Sequence, residues 1–394
     1  MTSAPPDLYS QADLLVASYE RAGYARVAPA ILQPAEPFLD LAGEDMRRHM
    51  YVLADAAGHE LCLRPDLTIP VARDYLASTA AAAARPAGFC YLGPVFRDRA
   101  SDAGIDAGMG AGEFLQAGIE SFGRTDTAAA DAEVLSLGLE AIAHYGIDNP
   151  TILTGDVSLF AALIAALDLA PAWKRRLVKD FNRKASLADD LQRLALATAD
   201  GRPEHRGVLA ALADANPKAA HALVTDLLSI AGISAVGGRS IGEVADRFVE
   251  QAELGASGAL PGETRALIER FLAVAGMPDD CIAALRALAE DAGVSLDPAL
   301  DLFESRTGFL AASGVDVTRI RFETGFGRGV DYYTGFVFEL HDRQDRVDGQ
   351  LVAGGRYDAL LTRLGSTRPV AAVGLAVWIE RLAALGTAVP GGRP

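Results

Sequence analysis

Cysteine is scarce in this chain. Cys62, Cys90 and Cys281 are its three thiols in 394 residues, too few and too widely spaced for a disulfide framework or a zinc cluster. Each reads as a small core residue. The six histidines, at 49, 59, 144, 205, 221 and 341, show neither H-x-x-H nor C-x-x-C spacing, so no metal is expected. Apolar runs such as Ala80–Ala84 are short, far below the roughly 20 residues that span a bilayer, and no membrane partner is expected. The start, Met1-Thr2-Ser3-Ala4-Pro5-Pro6, lacks the basic and apolar regions of a secretory leader, which makes the cytoplasm the expected location. Positive charge is also short: 36 Lys and Arg against 52 Asp and Glu, net −16. That field repels phosphate polymers, whereas a duplex reader would be expected to display a basic face.

What is present is core-forming material. Half of the residues are hydrophobic and 22% charged, enough for a large core and, at this length, two domains. The texture changes along the chain, which suggests 1–160 as the first part of a core, 161–300 as a helical insertion rich in Ala and Leu, and 301–394 as the second part of the core. Asp7–Ala22 reads as an amphipathic helix and Ala25–Leu32 as a strand, with Pro29 suited to an edge or an interface. Asp55-Ala56-Ala57-Gly58 fits a hairpin turn between His49–Leu53 and Glu60–Leu63. Phe89–Phe96 and Glu113–Phe122 form a second strand pair, and the stretch from Gly374 to Leu385 reads as a helix. The expected fold is α+β, an antiparallel sheet flanked by helices. In the insertion, Lys174, Arg175, Arg176, Lys179, Arg183 and Lys184 form a basic run, either a solvated helix face or a docking strip for an acidic partner or a phosphate.

Several segments carry chemistry. Arg97 closes a strand where a loop begins, a place from which a guanidinium fork can hold a carboxylate or phosphate. Gln116 and Glu120 lie an even number of residues apart on one strand and share a face; buried there, they need partners such as an ammonium or an imidazole nitrogen. Leu63-Arg64-Pro65-Asp66-Leu67-Thr68 presents a carboxylate and a hydroxyl together, and read alone it is equally a turn or helix cap. Arg328 sits between two glycines, Tyr332 and Tyr333 alternate across a strand, and Gly354-Gly355 opens backbone beside Arg356 and Tyr357, an aromatic wall that stacks an imidazole.

In order and spacing these segments resemble the class II aminoacyl-tRNA synthetase core of the histidyl type, over roughly 8–160 and 300–385. Pro29 falls at the proline of the family's interface strand, which implies self-association there. Arg97 and Arg381 fall at the two arginines that hold ATP in the family. Leu63–Thr68 resembles its Leu-Arg-Pro-Glu-Gly-Thr. Asp66, Thr68, Gln116, Glu120, Arg328, Tyr332, Tyr333 and Tyr357 match its histidine pocket. The resemblance implies Asp66, Thr68 and Glu120 on the α-amino group, Gln116 and Arg328 on the carboxylate, and the tyrosines as walls of the ring.

The departures point in one direction. Asp102, Asp106 and glycines fill the loop after Arg97, and Gly112-Glu113-Phe114-Leu115-Gln116 replaces the family's Arg-Gln-Phe-His-Gln. Loss of one preorganised donor typically costs about 100- to 1,000-fold in rate, and Glu113 would repel a triphosphate. The chain runs only to Pro394, so no C-terminal anticodon-binding domain and no tRNA partner are expected. It also lacks a phosphoribosyl-diphosphate loop of paired acids followed by Thr and Gly. These features resemble a paralogous branch, the regulatory subunits of ATP phosphoribosyltransferase in histidine biosynthesis. That resemblance implies a non-catalytic protein with no cofactor, a short-form catalytic subunit as partner, histidine as ligand and Arg97 with Arg381 as a vestigial anion site. A shortened, active histidyl ligase and a stand-alone histidine-binding or RNA-sensing module remain the alternatives.

Overall fold

The computed structural model describes residues 8–41, 47–98, 112–183, 186–188, 190–192, 217–230, 241–256 and 261–386. The chain divides into two units, one made of 1–160 and 272–394, the other of 161–271.

The first unit is organised by a nine-stranded sheet. Its strands are β1 (Ala25–Val27), β5 (Ala87–Phe96), β6 (Glu113–Phe122), β7 (Thr151–Asp156), β8 (Ala275–Gly276), β9 (Ile320–Glu323), β10 (Phe336–His341), β11 (Val352–Arg356) and β12 (Ala372–Trp378). They run in the order β1-β5-β6-β12-β11-β10-β7-β9-β8. The interior from β5 to β7 is antiparallel, as the hairpin signals predict, but β1 joins β5 and β9 joins β7 in parallel. The sheet is therefore mixed. Parallel neighbours are linked by long crossovers, which leave no local turn signal.

Residue parity divides the sheet into two faces. Leu115, Ala117 and Ile119 on β6, Val373, Leu375 and Val377 on β12, and Phe336, Phe338 and Leu340 on β10 enter the main hydrophobic core. There they meet Leu15 and Tyr19 of the helix Leu8–Arg21 and Leu135 and Ile142 of the helix Thr127–His144. The intervening residues, among them Gln116, Glu120, Gly374, Trp378 and Glu339, line a cavity on the opposite face. The stretch read as one helix from Gly374 is thus strand β12 through Trp378 followed by the helix Ile379–Leu385; its alternation serves a two-faced strand.

A smaller sheet orders β2 (Leu32–Pro34), β4 (Glu60–Leu63) and β3 (Val52–Ala54) as β2-β4-β3. The β3–β4 hairpin turns through Gly58 at φ +87°, with Asp55 accepting from the Ala57 and His59 amides, both at 2.8 Å. Ala25–Leu32 is not one strand. Pro29 has no amide to continue a ladder, so it separates β1 from β2. The buried Arg64 holds this break, donating to the carbonyls of Pro29 at 2.5 Å and Pro94 at 2.8 Å.

The second unit contains the helices Pro171–Asp180, Pro217–Ile230, Ile241–Ala256 and most of Gly262–Leu272. It ends at 271, short of the expected 300, because the helices Pro278–Ala292 and Asp297–Ala312 belong to the first unit, where they pack on β9 and the helix Thr127–His144. The basic run is engaged by acids of its own unit. Arg176 lies 2.6 Å from Asp180 and 2.7 Å from Asp190, Arg175 pairs with Glu253, and Lys179 is 3.7 Å from Glu250. Lys184, the loop bearing Asp102 and Asp106, and the helix read at 208–212 lie outside the described residues. Among the described residues no helix is long and apolar enough to cross a membrane.

Candidate functional site

Eight residues singled out in the sequence, Asp66, Thr68, Gln116, Glu120, Arg328, Tyr332, Tyr333 and Tyr357, line one cavity of ≈270 Å³. They come from four places. Asp66 and Thr68 stand at the start of the helix Thr68–Leu76, Gln116 and Glu120 on β6, Arg328 and the tyrosine pair between β9 and β10, and Tyr357 just after β11. Asp66 Oδ1 also accepts from the Ile69 amide at 3.3 Å, so it serves the helix start and the cavity together.

Glu120 is the centre of the polar end. The Thr68 hydroxyl donates to it at 2.8 Å, the Tyr91 hydroxyl at 3.2 Å, and the Tyr357 hydroxyl donates to its second oxygen. Burial pushes the carboxyl up to about 8, over the opposing pull of those hydroxyls, and the nearby Asp66 adds to the rise. Asp66 is itself raised by burial, with Arg97 opposing. Two buried acids lining one cavity, each costly to ionise without a counter-charge, suit a cationic ligand group.

Tyr332, Tyr333 and Tyr357 form a wall, with centroids 4.9 Å apart for the first two and 5.7 Å between Tyr332 and Tyr357. Tyr357 is held from both sides. Arg356 bonds Asp131 at 2.9 Å and Asp358 at 2.9 Å, and Asp358 accepts the Ala372 amide at 2.8 Å. Asp131 also takes Arg306 at 3.1 Å, and Arg306 reaches Asp156 at 2.7 Å. Asp131, Asp156 and Arg306 lie outside every sequence motif, because each bond that Arg306 or Arg356 makes to these acids spans more than a hundred residues.

Arg328 is not an open fork. Its Nε donates to Glu339 at 3.1 Å and its Nη1 to the Tyr333 hydroxyl at 2.7 Å. Burial opposes ionisation of Glu339, but His341 and Arg328 hold its carboxyl below the usual range. Glu339, Gln350 and Trp378 also line the cavity and were missed by motif reading. Parity would have found Glu339, the polar residue between Phe338 and Leu340.

The expected pairing of Arg97 with Arg381 is divided. Arg97 lines the cavity, donating to the Pro65 carbonyl at 2.8 Å. Arg381 is not among the lining residues: it is 4% exposed, donates to the Gln350 carbonyl at 2.7 Å and lies 5.5 Å from the Trp378 ring centre. Among the described residues no group of three or more His, Cys, Asp or Glu is placed to hold a metal ion.

Comparison with known proteins agrees with this architecture. The family model described as histidyl-tRNA synthetase matches residues 9–239 and 219–382. Curated relatives from Brucella canis and Brucella ovis, each named "ATP phosphoribosyltransferase regulatory subunit", are 40% identical over 357 residues, 90% of this chain and 91% of theirs. A crystal structure from Bacillus halodurans, titled as an ATP phosphoribosyltransferase regulatory subunit/histidyl-tRNA synthetase, matches with a TM-score of 0.63 at 21% identity, covering 98% of this chain and 82% of that one. A histidine–tRNA ligase subunit from Alicyclobacillus acidocaldarius matches at 0.56 and 25% identity, covering 98% and 95%. The chain therefore belongs to the family of ATP phosphoribosyltransferase regulatory subunits, built on the histidyl-tRNA synthetase fold.

Proposed function

We propose that this chain activates a short-form ATP phosphoribosyltransferase catalytic subunit in the cytoplasm and transmits feedback inhibition by histidine to it, without binding tRNA. The observation that carries the reading is the convergence of Asp66, Glu120, Arg328 and three tyrosines on one cavity. Asp66 and Glu120 face the cationic groups of the amino acid, with Thr68 beside them. Gln116 faces its carboxylate, and the tyrosines wall the imidazole. Arg328, engaged by Glu339, orients that wall through Tyr333, and any pull it exerts on the carboxylate is weakened by its own counter-ion. Histidine that binds one state of the complex more tightly shifts the population toward it, a coupling of about 1–3 kcal/mol in typical cases. Arg97 and Arg381 are remnants of an anion site.

Titration of the assembled complex with histidine, alongside phosphoribosyl transfer assays with and without this chain, tests the reading. Activation by the chain, heat on adding histidine, and inhibition lost in Glu120→Ala support it. Inhibition unchanged in Glu120→Ala and Arg328→Ala rejects the pocket as the sensor. An active ligase would instead show histidine-dependent exchange of pyrophosphate into ATP.

Self-association belongs to the same proposal. Leu32 pairs in register with Leu63 and Leu53 with Leu61, which puts these leucines on one face of the small sheet. Leu32 is 48% and Leu53 47% exposed, and Ile31 and Tyr51 are exposed with them. We assign this apolar face, next to Pro29, to a second copy of the chain.

A further inference from the structure

Gln116 and Trp378 face each other in the pairing of β6 with β12, and both line the cavity. They are 1% and 2% exposed. Neither Gln116 Oε1 nor Trp378 Nε1 has a hydrogen-bond partner among the described residues. Buried polar atoms are nearly always paired, because an unmade hydrogen bond leaves their desolvation uncompensated. Two such atoms on facing strands, in residues that line one cavity, mark a pair that a ligand can complete once their side chains turn toward it.

The chemistry of the missing group follows from what the pair offers. An indole N–H can only donate. A side-chain amide can donate or accept, and its orientation follows its partner. Arg97 lines the same cavity and adds positive charge. Donors beside a guanidinium suit an anion. The acids of the cavity, Asp66 and Glu120, serve the opposite need, and Arg328 has Nε on Glu339 and Nη1 on Tyr333.

Resting on the histidine pocket proposed above, we infer that Trp378 is a binding residue for the carboxylate of the amino acid. Its indole N–H donates to one carboxylate oxygen, and Gln116 turns its amide N–H to the other. The indole then has two tasks, since its ring also packs beside the Arg381 guanidinium. Phenylalanine would keep the ring and remove the donor.

The test is a two-by-two titration of the full chain, wild type and Trp378→Phe, with histidine and with histamine, the amine that lacks the carboxylate. Loss of one hydrogen bond to a charged acceptor is expected to weaken histidine binding about tenfold in Trp378→Phe and to leave histamine affinity unchanged. Equal weakening of both ligands overturns the assignment. So does an unchanged affinity for histidine, the result expected if only an ordered water completes the indole. A readout that needs no variant comes from the chain having two tryptophans, Trp173 and Trp378. In a ¹⁵N-indole spectrum one N–H signal should move downfield with histidine and stay in place with histamine; a signal that moves equally with both overturns the inference. Wild type that binds no histidine at all removes the pocket reading itself, a result distinct from these.

Discussion

Gly374 lies directly opposite Glu120 in the pairing of β12 with β6, and a Cβ at Gly374 would collide with the Glu120 carboxylate. The glycine leaves the room in which that carboxylate meets the hydroxyls of Thr68, Tyr91 and Tyr357. Neighbouring Ile119 also crowds the position, with its carbonyl 2.6 Å from where the Cβ would stand.

Gly374→Ala should therefore displace Glu120 and strain the strand pair. We expect histidine binding to weaken at least about tenfold, with a loss of about 1–3 kcal/mol in stability from overpacking. Calorimetric titration and thermal unfolding check the two effects. Wild-type affinity in a stable Gly374→Ala would show that Glu120 does not set the pocket.

The raised pKa of Glu120 predicts a pH dependence. Below about 8 the carboxyl of the empty pocket is largely protonated, and pairing with a ligand cation requires its ionised form, so binding releases a proton. Histidine affinity should rise between pH 6.5 and 8, and calorimetry in buffers of different ionisation heat should register the release. Glu120→Gln should abolish that dependence. A wild-type affinity that is flat across this interval would contradict the assignment.

The same shift has a sign for stability. The folded pKa lies above the ordinary carboxylate value of 4.5, so between these pH values the folded state binds more protons than the unfolded chain. Stability from this group is fully present below about 4.5 and is lost as pH rises through about 8. Glu120→Gln should accordingly raise the melting temperature of the unliganded protein more at pH 8.5 than at pH 6. An equal change at both pH values would show that the buried charge is not the cause.

Arg306 sits between Asp131 and Asp156 at 3.1 and 2.7 Å, all three buried. Arg306→Met should cost about 3–5 kcal/mol by leaving acid uncompensated in the core, read as a lower urea midpoint. Because Arg356 and Asp358 flank Tyr357 in the same network, histidine binding should weaken as well.

Leu32→Asp combined with Leu53→Asp places charge on the exposed face of the small sheet. Sedimentation velocity should show the self-associated species shift to monomer, with the circular dichroism spectrum unchanged. An unaltered sedimentation coefficient would place the contact elsewhere.

Much of the site was legible because its signals are local. The two-residue parity of Gln116 and Glu120 and the hairpin at Gly58 depend on neighbours within a few positions, and each reappears where the sequence placed it, whereas Tyr332 and Tyr333, expected to alternate across a strand, lie in the turn before β10 and both line the cavity. Their joint order carried the family resemblance, and with it the residues of the cavity. Other expectations failed where a decision needed a distant segment. The small residues after Gly374 suit helix or strand; pairing with β6 and β11 makes the stretch a strand through Trp378, and the expected helix begins only at Ile379.

The sequence by itself determined which residue types face one another on each strand and so which chemistry the pocket holds, since side-chain alternation is a property of the backbone. Only the tertiary structure decided that Glu339 occupies Arg328, that Arg381 lies beside Trp378 outside the cavity lining, and that Asp131, Arg306 and Arg356 meet in the core. Those partners are set by strand register and long crossovers, which bring together residues separated by many turns of chain and leave no trace in local spacing.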